Sequence, residues 1–191
     1  MTLRFTPTGI DGTWIVDTEP FADDRGAFAR IFSLSDFRKL GLETGWRQIS
    51  ASSNFVRGTL RGPHFQRGDR SEVKLVRCER GSIFDVVVDL RPSSPSFGTY
   101  VSLELSEANR RAVYVPKGCA HGFMTLEDDS VVNYFISEDF DAAASSGLLW
   151  CDEEVGIEWP FAPVRISEKD SRLPRLADLR AARDPGVFPG V

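Results

Sequence analysis

Between residues 46 and 137 the chain breaks into runs of four to eight residues, rich in apolar side chains and divided by turn signals. The runs fall at 47–53, 58–66, 73–79, 82–90, 99–105, 111–115, 121–127 and 130–137. Turn chemistry separates them, as at Glu79-Arg80-Gly81, Arg91-Pro92-Ser93-Ser94 and Pro116-Lys117-Gly118. Many short strands at this spacing predict an all-β sandwich or barrel of the jelly-roll kind. Phe84-Asp85-Val86-Val87-Val88-Asp89-Leu90 is nearly continuous apolar sequence, which predicts a strand buried on both faces.

The flanks read differently. Residues 1–20 suggest short extended pieces, with Trp14-Ile15-Val16 strand-like, and residues 21–28 suggest a tight turn. Residues 35–41 predict a short surface helix with a capping residue at its start and a glycine at its end. After Phe140 the alternation is lost, and Trp150, Trp159 and Phe161 are expected to pack against the barrel's outside. At 191 residues the chain fits one domain, with its core over about 10–176 and a tail over 180–191.

Chemistry concentrates in Gly58-Thr59-Leu60-Arg61-Gly62-Pro63-His64-Phe65-Gln66, followed by Lys74. One of only two histidines stands there beside an arginine, a glutamine and a lysine. A side chain that titrates near neutrality can take and return a proton. Neighbouring cations can hold an anion or a developing oxyanion. A surface or structural histidine is the plainer alternative. In a regular strand Arg61 and His64 would face opposite sides of the sheet; a bulge at Gly62-Pro63 would let both enter a lumen. Lys74 points either outward or into that lumen, and Tyr134 reads as core by default. His121, the second histidine, follows a turn into a strand.

The net charge of −5 argues against nucleic acid, because no basic excess is available to neutralise phosphates. No run approaches the eighteen apolar residues of a membrane span. Three cysteines without a CxxC pair, and an N-terminus without a long apolar run, fit a reduced, cytoplasmic setting. Two histidines and no HxH pair make a metal-dependent site of three or four ligands a poor fit.

Residues 20–176 resemble the dTDP-4-dehydrorhamnose 3,5-epimerase family, cupin-fold enzymes of nucleotide-sugar biosynthesis. The matching stretches include Phe21-Ala22-Asp23-Asp24-Arg25-Gly26, the 58–66 motif and Lys74-Leu75-Val76-Arg77. They continue through Asp85 to Arg91, Pro116 to Phe123, Trp150-Cys151-Asp152, Gly156-Ile157-Glu158-Trp159-Pro160 and Ser167-Glu168-Lys169-Asp170. The resemblance implies a cupin-type jelly-roll barrel with short peripheral helices. It also implies cofactor-independent epimerisation of a nucleotide-linked 4-keto-6-deoxyhexose, without a metal, by a homodimer whose N-terminal strands reach across the subunit interface. By matching position, His64 is the base, Asp170 its orienting carboxylate, Lys74 the stabiliser of the oxygen at C4 and Tyr134 the acid. Arg25, Phe28, Gln48, Arg61 and His121 match substrate contacts. Arg30, Ser50 and Asp139-Phe140 depart from the pattern, standing where a glutamate, an asparagine and a Tyr-Tyr pair are usual. The nucleotide base and the number of inverted centres, one or two, therefore stay open. A non-catalytic sugar-binding cupin is the remaining alternative.

Overall fold

The alternating runs build two antiparallel sheets in the computed structural model, which describes residues 2–181. One sheet sets side by side β1 (Leu3–Pro7), β2 (Trp14–Thr18), β10 (Ala112–Val115), β7 (Lys74–Arg80), β12 (Ser130–Ile136) and β5 (Gln48–Asn54). The other orders β13 (Ser145–Gly147), β6 (Leu60–Gln66), β11 (Cys119–Thr125), β8 (Ser82–Asp89) and β9 (Tyr100–Ser106). Together they form the expected jelly roll, and the predicted strands lie within two residues of their observed ends.

Period-two alternation explains how the sheets meet. Val76 and Cys78 of β7 and Val132 of β12 pack against Ile83 and Val87 of β8 and Phe123 of β11. Each fully buried apolar side chain contributes about 1.5–3 kcal/mol. Burial pushes the Cys78 thiol up to about 11 and that of Cys119 to about 12, so both act as packing groups. Cys151 differs, being exposed.

β8 is buried on both faces, as its apolar run predicts. Its second face, carrying Val86 and Val88, lies under Phe65, Leu148, Leu176 and Leu179. Trp159 packs on this side edge-to-face with Phe84, its indole N–H donating to the Trp150 carbonyl. Leu176 and Leu179 belong to α2 (Leu176–Ala181), an element too short to show a helical period and absent from the sequence reading. The ordered fold therefore runs beyond the 10–176 core at both ends, through β1 and α2. Of the proposed tail, residues 182–191 lie outside the described residues.

The first helix, α1 (Leu34–Lys39), starts one residue earlier than predicted, and its N-cap Ser33 makes no side-chain capping bond. Its end is set by Gly41, whose positive φ lets the amides of Gly41 and Leu42 turn back to the Arg38 and Phe37 carbonyls. Phe37 is thereby buried against Leu75 and Tyr114 on the outer face of the first sheet. That cover stops short of β5. Ile49 and Phe55 stay 70% and 77% exposed, as do Phe21 and Phe28 at 63% and 68% on the separate hairpin of β3 (Phe21–Asp23) and β4 (Gly26–Phe28).

Candidate active site

The motif at 58–66 becomes β6, and Gly62-Pro63 changes its register. His121 of β11 faces His64, yet Phe123, two residues on, faces Arg61, three residues back. β6 thus carries one extra residue, the bulge that puts Arg61 and His64 on the same side. Gly62 sits at φ +82, and a Cβ there would lie 2.8 Å from the His121 carbonyl oxygen, so only glycine fits.

Both side chains open into a cavity of about 540 Å³ between the sheets. Lys74 and Glu72, His121, Tyr134, Gln48, Ser50 and Phe140 line it too. Lys74 is the inward exception. Its ammonium is buried, 2.9 Å from the Glu72 carboxylate and donating at 3.2 Å to the His64 carbonyl.

His64 is gripped from behind. Its Nε2 lies 2.7 Å from Oδ1 of Asp170, which a short 3-10 turn (Asp170–Arg172) brings in from 106 residues away. The other carboxylate oxygen accepts the Gly62 amide at 3.2 Å. Burial acts to raise the Asp170 pKa, but the bonds from His64, Gly62 and Ser167 outweigh it and hold the group below the usual carboxylate range. An ionised Asp170 requires the proton on Nε2, which leaves the Nδ1 lone pair as the free basic atom.

Tyr134 enters from the facing sheet, its ring edge-to-face with His121 at 5.9 Å between centroids. Burial and the nearby Asp85 carboxylate push its phenol far up, so it stays protonated at neutral pH. His121 is itself held, Nε2 to Asp85 Oδ2 at 2.8 Å, and Asp85 is fully buried with Oδ1 unpartnered. A cavity with an imidazole nitrogen on one wall, and a neutral phenol and an ammonium from the facing sheet, can remove a proton from carbon. It can also stabilise the resulting oxyanion and deliver a proton back.

The fold therefore brings His64, Asp170, Lys74, Tyr134, Gln48, Arg61 and His121 together. Arg25 and Phe28 are not among them: both lie on the exposed hairpin, where Arg25 pairs with Asp23. Ser50 and Phe140 line the cavity, while Asp139 turns its carboxylate to Arg47. Glu72, Asp85, Gln66 and Lys169 were given no role by the sequence. Asp85 carried a signal, a carboxylate inside an apolar strand, which demands a buried partner. Among the described residues no three His, Cys, Asp or Glu side chains cluster as metal ligands.

A family model described as dTDP-4-dehydrorhamnose 3,5-epimerase matches residues 7–178. An epimerase of that name from Methanothermobacter thermautotrophicus is 44% identical over 170 residues, 87% of this chain and 91% of its own. A dTDP-4-dehydrorhamnose 3-epimerase from Streptomyces niveus is 37% identical over 188 residues, 98% of this chain and 89% of its own. The crystal structure of a dTDP-6-deoxy-D-glucose-3,5-epimerase from Legionella pneumophila, in complex with dTDP-4-keto-L-rhamnose, superposes with a TM-score of 0.90. Its sequence identity is 30%, over 100% of this chain and 99% of that one.

Proposed function

Because the chain belongs to the dTDP-4-dehydrorhamnose 3,5-epimerase family, we propose that its cavity epimerises dTDP-4-dehydro-6-deoxy-D-glucose to dTDP-4-dehydro-L-rhamnose. The observation that carries the assignment of roles is the His64–Asp170 pair standing across one cavity from Tyr134, with the Lys74 ammonium lining it. The 4-keto group acidifies the C–H bonds at C3 and C5. His64 Nδ1 takes the proton from one face, and the electron pair moves into the C4 carbonyl. Lys74, whose ammonium pairs with the Glu72 carboxylate at 2.9 Å, stabilises the enolate oxygen. Tyr134 delivers its phenolic proton to the opposite face, which inverts the centre. A base returning its own proton would restore the starting configuration. Imidazolium and phenolate then exchange protons with solvent, closing the cycle without a redox step.

Arg61 and His121 supply donors for the diphosphate, and Gln48 lines the nucleotide. Arg25 and Phe28 serve from the hairpin of a second subunit in a homodimer, an arrangement supported by the exposed Phe21, Phe28, Ile49 and Phe55 and by the free edge of β5. The enzyme works in the cytoplasm on a small-molecule substrate. A single-centre reading is favoured by one observation, the match over 98% of the chain to a 3-epimerase.

The test is turnover of dTDP-4-dehydro-6-deoxy-D-glucose coupled to a reductase that accepts only the L-configured product. Wild-type protein gives product, and His64→Ala loses turnover by about 10²-fold or more with little change in KM. Product inverted at C3 alone, identified by proton NMR of the reaction without the reductase, would establish the single-centre reading. No turnover of this sugar by wild-type protein would overturn the proposal.

A further inference from the structure

We infer that Gln66 is a positioning residue that presents Phe140 to the planar base of the bound nucleotide; the inference rests on the nucleotide-sugar reading above. The cavity has two ends. Lys74 and His121 are buried deep inside it, whereas Phe140 lines the same cavity while remaining 66% exposed, which marks it as the mouth. A substrate with its sugar among the catalytic groups extends its nucleotide outward. An exposed aromatic face there suits stacking on a base.

What holds that ring is not the sheet. β12 ends at Ile136, and the amide of Ser137 makes the last ladder-like bond, to the Val73 carbonyl. Beyond it, Gln66 holds the chain on both sides of Phe140. Its Nε2 donates to the Asp139 carbonyl at 3.1 Å, and its Oε1 accepts the Asp141 amide at 2.7 Å. A second Nε2 bond, 3.1 Å to the Arg70 carbonyl, ties the segment to the neighbouring loop. Gln66 is only 4% exposed, so these bonds are shielded from water. Gln48 adds one bond to the Glu138 carbonyl at 2.9 Å. The ion pairs of Arg47 with Asp139 and of Arg70 with Asp141 are solvent-facing and hold the segment weakly. Glu138, paired with both arginines, is largely covered and steadies the chain just before Asp139. Gln66 also shares a strand with His64, so one rigid element sets both the base and the mouth.

The experiment is titration calorimetry with dTDP and with inorganic pyrophosphate, beside steady-state kinetics, for wild type, Gln66→Ala, Gln66→Glu and Phe140→Ala. Gln66→Ala and Phe140→Ala are each expected to weaken dTDP about tenfold and to raise KM alike, with kcat within about threefold. Pyrophosphate, which has no base, binds all variants as it binds wild type. Gln66→Glu keeps the shape but loses the amide donors, and behaves like Gln66→Ala. The double variant is no worse than either single one, since both act through one ring. Unchanged dTDP affinity in Gln66→Ala, or equal losses for dTDP and pyrophosphate, would overturn the inference. If Gln66→Ala does not fold, Phe140→Ala decides: wild-type dTDP affinity there overturns it. A wild-type protein that binds dTDP but turns over no ketosugar would instead contradict the proposed activity and leave this binding result readable.

Discussion

Replacing Asp170 with asparagine removes one negative charge and almost no volume, and the structure says which functions survive. The asparagine Oδ1 can still accept the Gly62 amide, as one carboxylate oxygen does now at 3.2 Å. The side-chain NH₂ then faces His64 Nε2, where an acceptor stood at 2.7 Å. A donor there forces Nε2 to accept and moves the imidazole proton to Nδ1, so the atom facing the cavity can no longer take a proton. The lost charged hydrogen bond is worth about 1.5–3 kcal/mol. At about 1.4 kcal/mol per tenfold, that alone lowers kcat about 10- to 150-fold. The wrong tautomer deepens the loss toward the roughly 10⁴-fold cost of the same exchange in a Ser-His-Asp triad. KM changes little, because Asp170 faces His64 and not the substrate. Steady-state kinetics on folded Asp170→Asn protein checks this, and a kcat within threefold of wild type would refute the coupling of the two residues.

The same pair makes a stability prediction. Asp170 is held below the usual carboxylate range, so its contribution is complete above the unfolded value near pH 4 and is lost as pH falls through the lower folded value. The stability gap between wild type and Asp170→Asn in urea unfolding is therefore fully present at about pH 5 and closes as pH falls below about 4. A gap that widens on acidification would contradict it. Lys74→Gln lowers kcat about 10²- to 10³-fold with a smaller effect on KM, read by the coupled assay. Tyr134→Phe separates two events: deuterium exchange at the carbon acid persists through His64, while net inversion falls at least 10²-fold. Leu176→Ala, in α2 against β8, costs about 2–5 kcal/mol in denaturant unfolding and leaves kcat unchanged.

The sheets were legible because period-two alternation is written into each strand, and turn residues mark each end. β8 was legible on both faces for the same reason. α2 was not, since its six residues lack a glycine stop like the Gly41 that follows α1, and Leu176 and Leu179 gain meaning only against Val86 and Val88. The bulge at Gly62-Pro63 was readable from its chemistry, and it brought Arg61 and His64 to one side. Lys74 was ambiguous in sequence, because an inward lysine needs a partner, and Glu72 shows itself as that partner only in three dimensions. Asp170 lies 106 residues from His64, and nothing local in either segment specifies their pairing. That contact came from the resemblance. Gln66 stood within the recognised motif, yet its grip on Asp139 and Asp141 depends on how the segment after β12 folds back.

The most direct test of the central claim is proton NMR of dTDP-4-dehydro-6-deoxy-D-glucose incubated with the enzyme in deuterated water. If His64 removes a carbon-bound proton and Tyr134 returns one from solvent, deuterium appears at C3 and C5 with wild-type protein and is lost from both with His64→Ala. Wild-type protein that leaves both carbons fully protonated, or a His64→Ala variant that labels them at the wild-type rate, would contradict it.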